Sequence, residues 1–141
     1  MPSDPNCIFC KIIAGQIPCA KVYEDEMVLA FLDIGPLVRG HTLVIPKSHH
    51  ATVMDIPPET LAAVATRLPK ITKAVLSATG APACHVLTNN GSEAMQSVHH
   101  LHFHILPRGT GEAFRMPWPS GKLDSGEAKT LAGAITSAIK S

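Results

Sequence analysis

Gln96-Ser97-Val98-His99-His100-Leu101-His102-Phe103-His104-Ile105-Leu106 sets four of the chain's eight histidines among apolar residues. From His100 to His104 the residues alternate imidazole and apolar, with the period of two that belongs to a strand. The pattern predicts a strand over 98–106, stopped at Pro107 because proline cannot donate to a ladder. His100, His102 and His104 then share one face, and Leu101, Phe103 and Ile105 pack on the other. A single histidine is usually an ordinary core or surface residue, whereas three in register on one face point to chemistry. His99 falls on the apolar face and is given no role.

Working outward, Asn89-Asn90-Gly91-Ser92-Glu93 is a turn that pairs this strand with another over 84–88. Further upstream, 20–23, 27–32 and 41–45 read as strands joined by links too short for helical crossovers, so the sheet is antiparallel with about five strands. Cys7 to Ala14 reads as a short helix ended by Gly15. Asp55-Ile56-Pro57-Pro58-Glu59 starts a long helix in which Leu61, Val64, Ala65, Leu68, Ile71, Val75 and Leu76 share a face up to Gly80. Pro69 lies inside that pattern and is expected to kink it. Ser125 to Ile139 carries one more apolar stripe and reads as a terminal helix. The expectation is an α+β fold in one domain, 1–141, with its core at about 6–108 and an extension over 109–141.

At 141 residues the chain has the size of one domain. A hydrophobic content of 45% with 16% charged residues excludes intrinsic disorder. Twelve Lys and Arg against eleven Asp and Glu leave a net charge of +1, too little for a nucleic-acid surface. No apolar run approaches the roughly 18 residues a membrane-spanning helix needs. The opening Met-Pro-Ser-Asp-Pro-Asn lacks the features of an export signal, so a cytoplasmic location is expected. In a reducing compartment the Cys7/Cys10 CxxC pair points to metal or redox use rather than a disulfide framework. Cys19 and Cys84 read as inert buried thiols.

Three imidazoles at this spacing have two uses. They can hold a catalytic zinc with an open position that activates water. Alternatively, one neutral imidazole attacks phosphorus while its neighbours fix its tautomer and stabilise charge on the phosphoryl oxygens. Periodicity does not choose between them. Cys7 and Cys10, with a histidine from Pro46-Lys47-Ser48-His49, also suit a structural zinc better than a redox pair, because no thioredoxin-like strand precedes them.

The run from Gln96 to Leu106 resembles the signature of the histidine triad family. Cys7-Ile8-Phe9-Cys10-Lys11-Ile12-Ile13-Ala14-Gly15, Ala30-Phe31-Leu32-Asp33-Ile34, Gly40-His41-Thr42-Leu43-Val44-Ile45-Pro46-Lys47 and Asn89-Asn90-Gly91-Ser92 are similar, in the same order, to its hydrolase branch. The likeness covers about 6–108. Transferase-like branches carry Gln at the last triad position, where this chain keeps His104.

The resemblance implies a HIT-like fold and a nucleotide-binding hydrolase that cleaves at the α-phosphate of a purine nucleotide conjugate, a phosphoramidate or a dinucleoside polyphosphate. It works through a covalent nucleotidyl-histidine and releases AMP or GMP. His102 is the implied nucleophile, with His104, His41 and Ser97 as catalytic partners and Ser97 beside the leaving atom. Ile8, Phe9, Ile12, Phe31 and Ile34 are implied walls around the base, and Asp33 the acceptor of the ribose hydroxyls. Asn89, Met95 and Gln96 complete the implied nucleotide site. A structural zinc is implied on Cys7, Cys10, His49 and His100, with His50 the alternative to His49. Family members pair as homodimers, and the same is expected here. Other readings of the residues are a metallohydrolase whose triad holds the metal and a nucleotide-binding regulator without turnover. Glu93-Ala94-Met95 departs from the family's glycine-rich loop.

Overall fold

The computed structural model describes residues 1–141. Its elements are α1 (Ile8–Ile13), β1 (Lys21–Glu24), β2 (Val28–Leu32), β3 (Thr42–Pro46), α2 (Pro58–Ala65), α3 (Leu68–Thr79), β4 (Ala83–Leu87), β5 (Phe103–Arg108) and α4 (Ser125–Lys140). The five strands form one sheet in the order β1-β2-β3-β5-β4, with every neighbouring pair antiparallel.

Alternation along β2 and β3 sends side chains to both faces, and both faces are covered. Leu29, Phe31, Leu43 and Ile45 pack with Cys7, Phe9 and Cys10 at α1. Val28, Ala30, Val44 and Ile105 pack on the other side against Val64, Ile71 and Val75 of α2 and α3. This two-sided burial explains why β2 and β3 read as nearly continuous apolar runs.

The expected long helix is two helices. A helical Pro69 would lack an N–H and press on the carbonyl of Ala65, so α2 ends at Ala65 and α3 begins at Leu68 with Pro69 in its first turn. Arg67 occupies the break, donating to Ala63 O and to the carboxylate of Asp25. Asp25 in turn accepts from the N–H groups of Met27 and Val28, which fastens the β1–β2 hairpin to the helical layer.

The triad strand is shorter than the alternation predicts, beginning at Phe103 rather than Val98. Before it, main-chain groups bond outside the ladder: the Leu101 N–H donates to His50 O at 2.7 Å, and His100 O accepts from a side chain. His99, placed by alternation on the apolar face, is exposed. Cys19 and Cys84, expected inside, are half-buried. Asp124 caps α4 by accepting from the Glu127 N–H, yet no α4 residue is buried, and Leu131, Ile135 and Ile139 face solvent.

Candidate active site

Cys7 caps the N-terminus of α1, and the Cys10 N–H donates to its Sγ at 3.4 Å, so the CxxC spacing brings both sulfurs to one end of the helix. His100 lies across from them. Its Nδ1 is 3.5 Å from Cys7 Sγ, 3.6 Å from Cys10 Sγ and 3.2 Å from His49 Nδ1. His100 Nε2 is 2.8 Å from Pro46 O. A carbonyl only accepts, so Nε2 carries the proton and Nδ1 turns its lone pair toward the sulfurs. Burial pushes His100 down to about 4, which keeps the imidazole neutral.

Ligand atoms of Cys7, Cys10, His49 and His100 all lie within 4.8 Å of one another. Two sulfurs and two imidazole nitrogens suit a closed tetrahedral zinc. Burial raises the Cys7 thiol, and a cation held here would offset that by displacing the proton. Asp4 Oδ2 stands 4.0 Å from His49 Nε2, on the far side of that ring. His50 points elsewhere, with its Nε2 3.1 Å from Ser48 Oγ.

The same logic fixes the protons of the other histidines. His102 Nδ1 donates to His100 O at 2.7 Å, so its Nε2 holds a free lone pair. The Leu37 N–H donates to His41 Nδ1 at 3.1 Å, which puts the His41 proton on Nε2. His41 Nε2 then donates to His104 Nδ1 at 2.8 Å, leaving His104 with its proton on Nε2. That His104 N–H is buried without a partner. Unpaired buried donors are rare in folded proteins, and this one lies on a ring centred 4.9 Å from the His102 ring. It is a donor waiting for an oxygen.

Burial lowers His41, His102 and His104, the last to about 4, against the upward pull of the Asp33 carboxylate. All three are therefore neutral near pH 7, the state in which an imidazole keeps a lone pair on one ring nitrogen.

Asp33, His41 and His104 also lie within 4.8 Å of one another. Protons occupy His41 Nε2 and His104 Nε2, and His104 Nδ1 accepts from His41, so their lone pairs do not converge on a metal. Neither cluster of ligand atoms includes His102.

A cavity of about 240 Å³ opens beside these rings, lined by Ile8, Phe9, Ile12, Phe31, Asp33, Ile34, Leu43, Ser97, Val98, His102 and His104. Phe9 meets His102 edge-on at 5.1 Å between centroids. Asp33 Oδ1 accepts from the Gly35 N–H, leaving Oδ2 3.5 Å from His41 Nε2. Leu43 and Val98 are wall residues that sequence reasoning missed. Leu43 was legible in principle, since it follows His41 by two residues on the expected strand 41–45 and so shares its face.

Three implied nucleotide residues do not line this cavity. Gln96 is buried, and its amide bonds main chain throughout: Oε1 accepts from the Gly91 N–H at 2.8 Å, and Nε2 donates to Ala51 O and Val98 O. It shapes the loop that presents Ser97. Asn89 is half-buried two residues past the end of β4. Met95 is 81% exposed and is the one non-glycine residue with positive φ, at 70°.

Comparison with known proteins gives this geometry a context. The HIT domain family matches residues 14–111. An adenosine 5′-monophosphoramidase of Schizosaccharomyces pombe is 44% identical over 136 residues, covering 96% of this chain and 99% of that one. An adenylylsulfatase of Arabidopsis thaliana is 48% identical over 103 residues, which span 73% of this chain but only 52% of the relative. Among solved structures, a Streptococcus mutans protein superposes with a TM-score of 0.94 at 42% identity, covering 97% of this chain and 87% of that one. A zinc-bound histidine triad family protein from Mycobacterium smegmatis superposes at 0.74 with 35% identity, covering 96% of each chain.

Proposed function

The chain belongs to the HIT domain family, and from that premise we propose that it is a nucleotide phosphoramidase, a hydrolase that cleaves a purine nucleotide conjugate at its α-phosphate. The observation that carries this reading is the proton arrangement around His102, a neutral imidazole whose Nε2 lone pair is free beside an unpaired donor on His104.

His102 Nε2 attacks the α-phosphorus in line, and the P–N bond to the leaving amine breaks with its electron pair on the departing nitrogen. That nitrogen takes a proton from the Ser97 hydroxyl, which regains one from solvent. The His104 N–H donates to a phosphoryl oxygen as negative charge concentrates there, and the Leu37–His41 chain holds it in the donating tautomer. Water then attacks phosphorus and gives up a proton to solvent, the bond to His102 breaks and returns its pair to Nε2, and the nucleoside monophosphate leaves. Asp33 Oδ2 accepts from the ribose hydroxyls, and the apolar walls clasp the base.

Zinc held by Cys7, Cys10, His49 and His100 would be structural and would cross-link α1, the chain after β3 and the approach to β5. The chain works as a homodimer. Its accessible surface is 8809 Å², against about 7,000 Å² for a compact monomer of 15.0 kDa, and the excess includes exposed Trp118, Leu131 and Ile135. It acts in the cytoplasm on small nucleotides. No helix is long and apolar enough to cross a membrane.

The test is AMP release from adenosine 5′-phosphoramidate by wild type and His102→Ala, with and without chelator. Turnover that survives chelation and falls at least about a thousandfold in the variant, with AMP affinity held within a few-fold, is expected. Comparable turnover by the variant defeats the covalent mechanism. Activity that vanishes with chelation returns a catalytic metal, and wild type that binds AMP without turning over any conjugate is a regulator.

A further inference from the structure

A second cleft of about 320 Å³ adjoins the nucleotide cavity, and Ile8, Ser97 and Val98 line both. Ser97 is the one polar residue they share. Beyond it the cleft is lined by Asp4, Asn6 and the exposed His99, together with Cys7 and His49 of the metal cluster. No lysine or arginine lines it.

Asp4 Oδ1 accepts from the Asn6 N–H at 2.9 Å. Its Oδ2, 4.0 Å from His49 Nε2, is outside hydrogen-bond reach of that ring, and the side chain is 44% exposed. The cleft thus carries one accessible carboxylate and no fixed positive side chain. An in-line displacement expels its leaving group on the side of phosphorus opposite the nucleophile. With His102 attacking from the nucleotide cavity, a group leaving past Ser97 passes into this cleft.

Resting on the phosphoramidase reading, we propose that this cleft is the leaving-group subsite, and that Asp4 makes it select amines bearing a second positive charge over leaving groups that end in a carboxylate, sulfate or phosphate. The carboxylate attracts the first kind and repels the second. His99 and Asn6 supply polar contacts that neither triad chemistry nor zinc requires. Selection rests on Asp4 because it is the only formally charged side chain in the lining apart from the histidines.

The experiment uses three adenosine 5′-phosphoramidates of matched length, made from 1,3-diaminopropane, propylamine and β-alanine. Affinities for the His102→Ala protein are read by calorimetry, so that binding is seen without turnover. The diaminopropane conjugate is expected to bind tightest and the β-alanine conjugate weakest, about fivefold apart, the scale of a half-exposed ion pair. Adding Asp4→Asn is expected to remove the spread, and Asp4→Glu to keep it. Equal affinities, or a spread that survives Asp4→Asn, overturn the proposal. Turnover of unsubstituted adenosine 5′-phosphoramidate by wild type is measured alongside: its absence overturns the phosphoramidase reading, and the affinities still decide the cleft.

Discussion

The carbonyl oxygen of His100 sits 2.7 Å from Nδ1 of His102, so one member of the triad fixes the proton of the next. His100 also turns its own Nδ1 to the cysteine sulfurs, so the same residue serves the proposed zinc cluster through its ring and the proposed nucleophile through its main chain.

The bond to His100 favours a charged His102 and burial opposes it, and burial is the larger effect, leaving His102 below the ordinary imidazole value of about 6.5. The proposed nucleophile therefore stays neutral as pH falls through that value. The acid limb of the kcat/KM profile is expected below pH 6.5, since this parameter reports the free enzyme. A limb at or above 6.5 contradicts the burial argument.

His41 reaches the reaction only through His104, with Nε2–Nδ1 at 2.8 Å. In His41→Ala the His104 proton is free to move to Nδ1, and the donor aimed at phosphate is lost for part of the population. A tenfold to hundredfold fall in kcat is expected, below the roughly hundredfold to thousandfold worth of a whole oxyanion donor because only part of the population loses it, with AMP affinity held within a few-fold. Steady-state rates and AMP titration together make the check, and an unchanged kcat refutes the relay.

Protein prepared without added metal should contain about one zinc per chain by elemental analysis, given how tightly four-ligand sets hold it. His49→Ala should lose most of it and His50→Ala should retain it, because His49 meets the cysteines while His50 turns to Ser48. Metal lost with His50→Ala and kept with His49→Ala would reverse the assignment.

Gly40 precedes His41 with φ at +87°, and an added Cβ would stand 2.5 Å from Thr79 Cγ2 and 3.3 Å from Pro107 Cγ. Gly40→Ala combines left-handed strain with a clash against the end of α3. A loss of about 2–4 kcal/mol is expected in denaturant unfolding. A loss under about 1 kcal/mol would mean that α3 yields at little cost.

How much was legible depended on whether the deciding partner was local. The period of two in His100, His102 and His104 is local, and so is the effect of Pro69 on its own helix, which the sequence reading anticipated as a kink and the fold resolves as two helices. The false start of β5 at Val98 arose because residues 98–102 keep the alternation of a strand. What keeps them out of the ladder is non-local, the Leu101 N–H on His50 O, together with the side-chain bond to His100 O. Gln96 was legible as a polar residue beside the triad, but its amide is bound to Gly91, Ala51 and Val98, partners no pattern around it announces. Leu37 gave no signal at all, because the group it contributes is an N–H.

Leu37 also says something about how such a site can vary over time. Its side chain is 52% exposed while its N–H orders two imidazoles in series. Every residue but proline carries that N–H, so drift at position 37 can be wide in side-chain chemistry and still leave the proton on His104 where it was. The barrier to change there is a single substitution, Leu37→Pro, which would disconnect the relay without touching a histidine.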